Sequence, residues 1–168
     1  TTISMDVSND GTRVAVLSGD TGRVFAYGGG SWSQFGSSIA FRPTGVNTIK
    51  ISGNGNYVAL GNNTPSDPYP FFTQHSTDIT GNGVGSNLAF DNSGSTLVTS
   101  SFTDNVIRVY DSIHNQVTTF DVKIMYADIE QPFGSPDAME TKPFAITKDG
   151  TKIVTVAPPG VSGLRAIV

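Results

Sequence analysis

One phrase occurs four times in this chain: an apolar strand, a glycine-centred turn and a second apolar strand following at once. The copies are Ser4-Met-Asp-Val-Ser-Asn-Asp-Gly-Thr-Arg-Val-Ala-Val16, Thr48-Ile-Lys-Ile-Ser-Gly-Asn-Gly-Asn-Tyr-Val-Ala-Leu60, Asn87-Leu-Ala-Phe-Asp-Asn-Ser-Gly-Ser-Thr-Leu-Val-Thr99 and Pro143-Phe-Ala-Ile-Thr-Lys-Asp-Gly-Thr-Lys-Ile-Val-Thr155. The turn glycines are Gly11, Gly55, Gly94 and Gly150, at intervals of 44, 39 and 56 residues. Gly and Asn tolerate the positive φ that a tight hairpin demands, so each copy reads as two antiparallel strands.

The second strand of each copy is a nearly continuous apolar run, as in Val14-Ala-Val-Leu17, Tyr57-Val-Ala-Leu60 and Ile153-Val-Thr-Val156. A run of this kind suits a strand buried on both faces, with one unit stacked on the next. Third strands alternate instead, at Val24-Phe-Ala-Tyr27 and Ile107-Arg-Val-Tyr-Asp111, which sets one face toward solvent. Fourth strands are expected at Ser33–Ile39 and Gln116–Val122. Helical periodicity is absent, apart from one candidate turn at Ser135-Pro-Asp-Ala-Met-Glu140 with Ser135 as N-cap. Strand units of about 40–45 residues mark the blades of a propeller. The expectation is an all-β, propeller-like fold over residues 1–168, with units near 1–40, 41–80, 81–122 and 123–168. Leu164–Val168 reads as a third strand, so the four visible units either close a small ring or, as this end favours, belong to a larger one. In the second case the first unit lacks a neighbour, and Val14 and Val16 are expected to be partly uncovered.

Charged residues make up 14% of the chain, against about 25% in an ordinary soluble domain. The net charge of −4 argues against a nucleic-acid partner. No apolar stretch approaches the length of a membrane span. The absence of cysteine removes disulfides and thiolate metal sites, and the residues from Thr1 onward show no basic segment followed by an apolar stretch, so any signal peptide is expected to have been removed or never to have existed.

Ser100-Ser-Phe-Thr-Asp-Asn-Val-Ile-Arg-Val-Tyr-Asp111 resembles the end of a WD-repeat blade, and Ser18-Gly-Asp-Thr-Gly-Arg-Val-Phe-Ala-Tyr27 is a weaker copy. Gly30-Ser-Trp-Ser-Gln-Phe-Gly-Ser-Ser-Ile39 is similar to the Trp-x-Gln-x-Gly repeats of secreted and surface propellers. No Gly-His pair precedes any unit, and Tyr27 and Tyr110 stand in place of the WD-repeat Trp, so that family's hydrogen-bonded tetrad is incomplete. Nor is there an Asp-x-Asp-x-Asp-Gly calcium loop of the integrin-type blade. The resemblance implies a propeller that displays loops. It names no ligand.

Signals for chemistry are weak. His75 and His114 lack convergent partners for a metal site or a nucleophile triad. Asp128, Glu130, Asp137 and Glu140 lie close together but without calcium-loop spacing, so they read as a solvated acidic loop. Gly81-Asn-Gly-Val-Gly85 lacks the Lys-Ser/Thr pair of a phosphate loop, and Gly28–Gly30 reads as a turn. Asn62-Asn-Thr64 is a formal glycosylation sequon. No cofactor is expected.

Two long connections break the spacing, Asn62–Gly85 and Lys123–Lys142, and long loops in a compact repeat fold carry function or disorder. Their aromatics Tyr69, Tyr126 and Phe133 are the candidate partner-binding residues, whereas Phe71 and Phe72 read as a third strand. The function expected is a non-catalytic binding or assembly module, extracellular or at a virion or cell surface. Its partners would be a protein or further subunits, with a glycan as a second class. Two alternatives stand beside it. One is an enzyme of lactonase or glycosidase type with its site at the propeller mouth, poorly served by Ser4, Asp6, Ser8, Lys50, Ser52 and Thr147. The other is an intracellular scaffold of the WD-repeat kind.

Overall fold

Every element in the described part of the chain is a β-strand. The computed structural model describes residues 3–40, 47–62, 84–101, 106–111, 116–121, 144–156 and 164–167. The first unit is a four-stranded antiparallel sheet of β1 (Ile3–Val7), β2 (Arg13–Ser18), β3 (Thr21–Gly28) and β4 (Ser31–Ala40), in that order. The second contributes β5 (Asn47–Ile51) and β6 (Val58–Asn62). The third is again four-stranded, with β7 (Val84–Phe90), β8 (Leu97–Ser101), β9 (Val106–Tyr110) and β10 (Gln116–Asp121). β11 (Phe144–Ile146), β12 (Ile153–Val156) and β13 (Leu164–Ile167) make the fourth. The helical turn expected at 135–140 and the strand expected at Phe71 and Phe72 lie outside the described residues.

Each sheet follows the chain order, and from the second unit on each packs its first two strands onto the sheet before it. Face-to-face burial between sheets is therefore the core. At the first joint Ile49, Ile51, Val58 and Leu60 of the second unit close on Ala15 and Leu17 of the first. Ala59 then meets Leu88, Leu97 and Tyr110 of the third unit, with Phe90 alongside. Val98, Ile107 and Val109 in turn meet Ile153, with Phe144 and Ile146 alongside. Each fully buried aliphatic side chain contributes about 1.5–3 kcal/mol, so a joint of this size outweighs any single hydrogen bond in the sheets. The propeller-like succession expected from the repeat is the architecture observed.

The second strand behaves as expected only where both neighbours are present. Val58, Ala59 and Leu60 are all buried, as are Leu97 and Val98. In β2 only Ala15 and Leu17 are buried, while Val14 and Val16 remain partly exposed, and among the described residues no sheet covers their side. Register corrects one sequence alignment. Phe25, not Tyr27, is the counterpart of Tyr110, since Phe25 lies opposite Val14 as Tyr110 lies opposite Leu97. β3 runs on past that point through Tyr27 to Gly28, whereas β9 ends at Tyr110.

The turns are also joined to one another. Asn9 N–H donates to the Gly53 carbonyl, Asn54 N–H to the Asn92 carbonyl and Asn92 N–H to the Lys148 carbonyl, at 2.7–2.9 Å. Gly53 sits where these turns converge. A Cβ there would fall against Asn9 Nδ2, Asn92 Oδ1 and the Asn92 backbone, so glycine is required by space and not by φ. Gly11 is the converse, with φ of 69° and nothing near a Cβ. Gly11→Ala is expected to cost about 1–2 kcal/mol through left-handed strain alone. Gly53→Ala is expected to cost about 1–3 kcal/mol through overpacking and to loosen the hydrogen bonds to its neighbours. Urea unfolding of both variants measures the two costs. Faster amide exchange at Asn9 and Asn54 in Gly53→Ala alone would separate the causes.

Candidate functional site

Four equivalent turns gather at one end of the sheets, and each is built by the same hydrogen bonds. Ser8 N–H donates to the Arg13 carbonyl and Gly11 N–H to the Ser8 carbonyl, closing a four-residue loop. Ser8 Oγ donates to Asp10 Oδ1 at 2.6 Å and accepts from Arg13 N–H at 3.0 Å, while Asp10 Oδ1 accepts from Thr12 N–H. Ser52 with Asn54 repeats the pattern, and Thr147 with Asp149 does so again. The third turn inverts it. Asp91 stands at the first position and Ser93 at the second, yet Ser93 Oγ still donates to Asp91 Oδ2 at 2.6 Å. Thr96 N–H donates to Asp91 Oδ1 and Ser95 N–H to Ser93 Oγ. A hydroxyl and a carboxylate or amide form one bond in either order, so the turn keeps its closure.

Side chains extend the links across joints. Asn9 Nδ2 donates to Asn92 Oδ1, bringing the first and third turns together over the second. Asn54 Nδ2 donates to the Ser93 carbonyl at 2.7 Å. On the inner strands, Ser4 Oγ accepts from Ile49 N–H at 3.2 Å and Asp6 Oδ2 from Ile51 N–H at 3.0 Å. Ser4, Asp6, Ser8 and Ser52 thus each hold a hydrogen bond within or between units.

Beside the turns, a groove of about 450 Å³ opens between β4 and the second unit. Val24, Phe35, Ile39 and Val58 supply its apolar lining, and Gly55 and Asn56 its turn-side wall. Arg13 fastens the two walls. Its guanidinium lies 4.5 Å from the centre of the Phe35 ring and donates to the Gly55 carbonyl at 2.8 Å and to Asn56 Oδ1 at 3.0 Å. Among the described residues that line it none carries a titratable group, so these walls offer shape and apolar contact. Phe35 is 44% exposed at its edge.

The sequence candidates Tyr69, Tyr126 and Phe133 lie outside the described residues, as do His75, His114 and the acids from Asp128 to Glu140. Among the described residues, no group of three or more His, Asp or Glu side chains could hold a metal ion. Nor is any helix there long and apolar enough to cross a membrane. The Arg13–Phe35 contact was missed from sequence. Its only signal was an arginine directly after a turn facing the aromatic of a Trp-x-Gln-Phe-Gly strand.

No family model and no curated protein matches this sequence. Solved structures do: 337 chains match, a breadth that belongs to a fold and not to one activity. Among them is a chain from the crystal structure of the mitotic checkpoint complex, with a TM-score of 0.56 and 20% identity. The match covers 90% of this chain but 42% of that one, so this chain spans less than half the length of its structural relative. At such identity the likeness establishes the fold alone: an all-β, propeller-like assembly of antiparallel sheets.

Two turn carboxylates, Asp10 and Asp149, respond to acid. The Ser8 hydroxyl first, then Thr12, holds Asp10 at about 2, below the usual 3.8. Thr147 and Thr151 do the same for Asp149. A folded pKa below the unfolded one stabilises above the unfolded value and is lost as pH falls through the folded one. Thermal stability is therefore expected to fall as pH drops from about 4 to about 2 as these two turns protonate. An Asp10→Asn/Asp149→Asn variant keeps the acceptor oxygen, as Asn54 does naturally, and is expected to match the parent at neutral pH. Its melting temperature should decline less steeply in acid. Parallel curves for parent and variant would exclude the turns as the acid-sensitive element.

Proposed function

We propose that this chain is a non-catalytic protein-binding scaffold of propeller type, which takes an extended segment of a partner by an apolar side chain. The observation that carries this is the groove between β4 and the second unit, whose described lining includes the apolar Val24, Phe35, Ile39 and Val58 and no titratable side chain. An aromatic edge at a partly open apolar site, with an arginine stacked on it, has the composition of an interface anchor. The shared fold with a chain crystallised in a multiprotein complex supports the same reading. It favours the WD-repeat-like scaffold over the secreted, surface or virion role expected from low charge. Tyr69, Tyr126 and Phe133 belong to the proposal as further contacts from the two long connections.

Selection of a displayed random-peptide library on the purified chain tests this. Enriched peptides are expected to share an apolar or aromatic anchor. Phe35→Ala is expected to weaken them about tenfold or more, equivalent to roughly 1.4 kcal/mol per decade. Because Phe35 is already 44% exposed, its removal should change the melting temperature little. No enrichment, or binding indifferent to Phe35, would overturn the groove as the binding site. Chromogenic ester, glycoside and phosphate substrates should give no turnover above blank. Turnover lost in Asp6→Asn would overturn the non-catalytic reading.

A further inference from the structure

The first unit leaves open the face that every other unit has covered. Met5 and Val7 occupy the positions of Ile49 and Ile51 in the second unit, counted from the turn glycine. Ile49 and Ile51 are 0% and 5% exposed, whereas Met5 and Val7 are 64% and 53% exposed. The same positions hold Leu88 and Phe90 in the third unit and Phe144 and Ile146 in the fourth, all set against the unit before them. Strand pairing continues the open face across the sheet. Met5 lies opposite Val16, Val7 opposite Val14 and Val14 opposite Phe25. Farther out on that face are Tyr27 and Trp32, whose rings meet at a tilt with centroids 5.3 Å apart.

The far side of the fourth unit is open as well, and it matches. In the third unit Val98, Ile107 and Val109 receive Phe144, Ile146 and Ile153, and Ala89 is paired with Val98 across strands. The fourth unit carries the same pair, Ala145 opposite Val154. Val98 is fully buried, while Val154 is half-buried and Ala145 exposed. The hydrogen-bond series between turns stops in the same two places. The carbonyls of Gly53, Asn92 and Lys148 each accept from the preceding unit, and among the described residues the Asn9 carbonyl has no such donor. One end thus carries an uncovered Ala/Val face, the other an uncovered Met/Val/Val face and an acceptor with no donor from another turn among the described residues. These are the two halves of the joint already made between the third and fourth units. Within one chain they do not meet.

We propose that a second copy of this chain fills both vacancies. The fourth unit of each copy seats on the first unit of the other, head to tail, so that eight units close one ring around a twofold axis. Contacts of this heterologous kind form closed rings when the rotation per unit allows it. Met5, Val7 and Val14 take on Val154 the places that Phe144, Ile146 and Ile153 take on Val98. This inference is independent of the groove at Phe35, which lies on the opposite face of the first sheet.

Sedimentation velocity of the purified 168-residue chain tests the proposal. The parent is expected to sediment as a dimer. Val7→Asp and Val154→Arg each spoil one half of the joint at a side chain already in contact with solvent, so each alone should be monomeric, with an unchanged circular dichroism spectrum. Mixed in equal amounts they should recover a one-to-one complex, because the fourth unit of the Val7→Asp chain and the first unit of the Val154→Arg chain are both intact. A parent that stays monomeric at high concentration would overturn the second copy as occupant and leave the face to a further unit of a longer polypeptide. A dimer that Val154→Arg leaves intact would overturn the head-to-tail arrangement in favour of like faces meeting.

Discussion

A sheet that is apolar on both faces has no satisfactory solvated form by itself, and the rest of this structure follows from that. The second strands carry aliphatic residues at consecutive positions, so pleating sends apolar side chains to both sides. Burial is then achieved only by stacking. Large residues at the Ile49, Leu88 and Phe144 positions face small or slim ones at Ala15, Ala59 and Val98 across each joint. Stacks of this kind are nearly one-dimensional, with each unit depending chiefly on its neighbours.

Stacking alone does not fix how far one sheet slides over the next, and the turns supply that register. Each turn is first made rigid from within by a hydroxyl paired with an Asp or Asn two residues away. Only then are its remaining N–H and C=O groups held where the adjacent turn can use them. The backbone bonds at Asn9, Asn54 and Asn92 all run from one unit to the next and always at the turn end. The inverted Asp91–Ser93 pair shows what is being kept. The identity at either position is free to change, provided one partner donates and the other accepts.

The hairpins, the doubly buried second strands and the uncovered Val14 and Val16 were legible in the sequence, because each depends on residues near in the chain. Gly11, Gly55, Gly94 and Gly150 all adopt positive φ at the turns where the repeat placed them. Contacts between units were not legible. Nothing local signals that Asn9 and Asn92, 83 positions apart, share a hydrogen bond, or that Gly53 is needed because both crowd it. The apolar-aromatic endings of two third strands also misled, matching Tyr27 with Tyr110 when cross-strand register matches Phe25. Alternation gives the face of a residue. It does not give its distance from the turn.

The low charge of the chain acquires a physical meaning in this setting. In a stacked array the terminal units normally carry polar residues on their outer faces, since those faces meet water. The outer face of the first unit has Met5, Val7, Val14, Val16 and Phe25 instead, and Arg23, opposite Val16, is its one charged residue on β1–β3. Charge is spent elsewhere, in the carboxylates that close turns and in Arg13, which ties β4 to the second unit. A unit so composed has the surface of an interior blade and not of a cap. The pattern that makes the inner joints stable is therefore carried through to the edge without the polar substitutions that would end the stack.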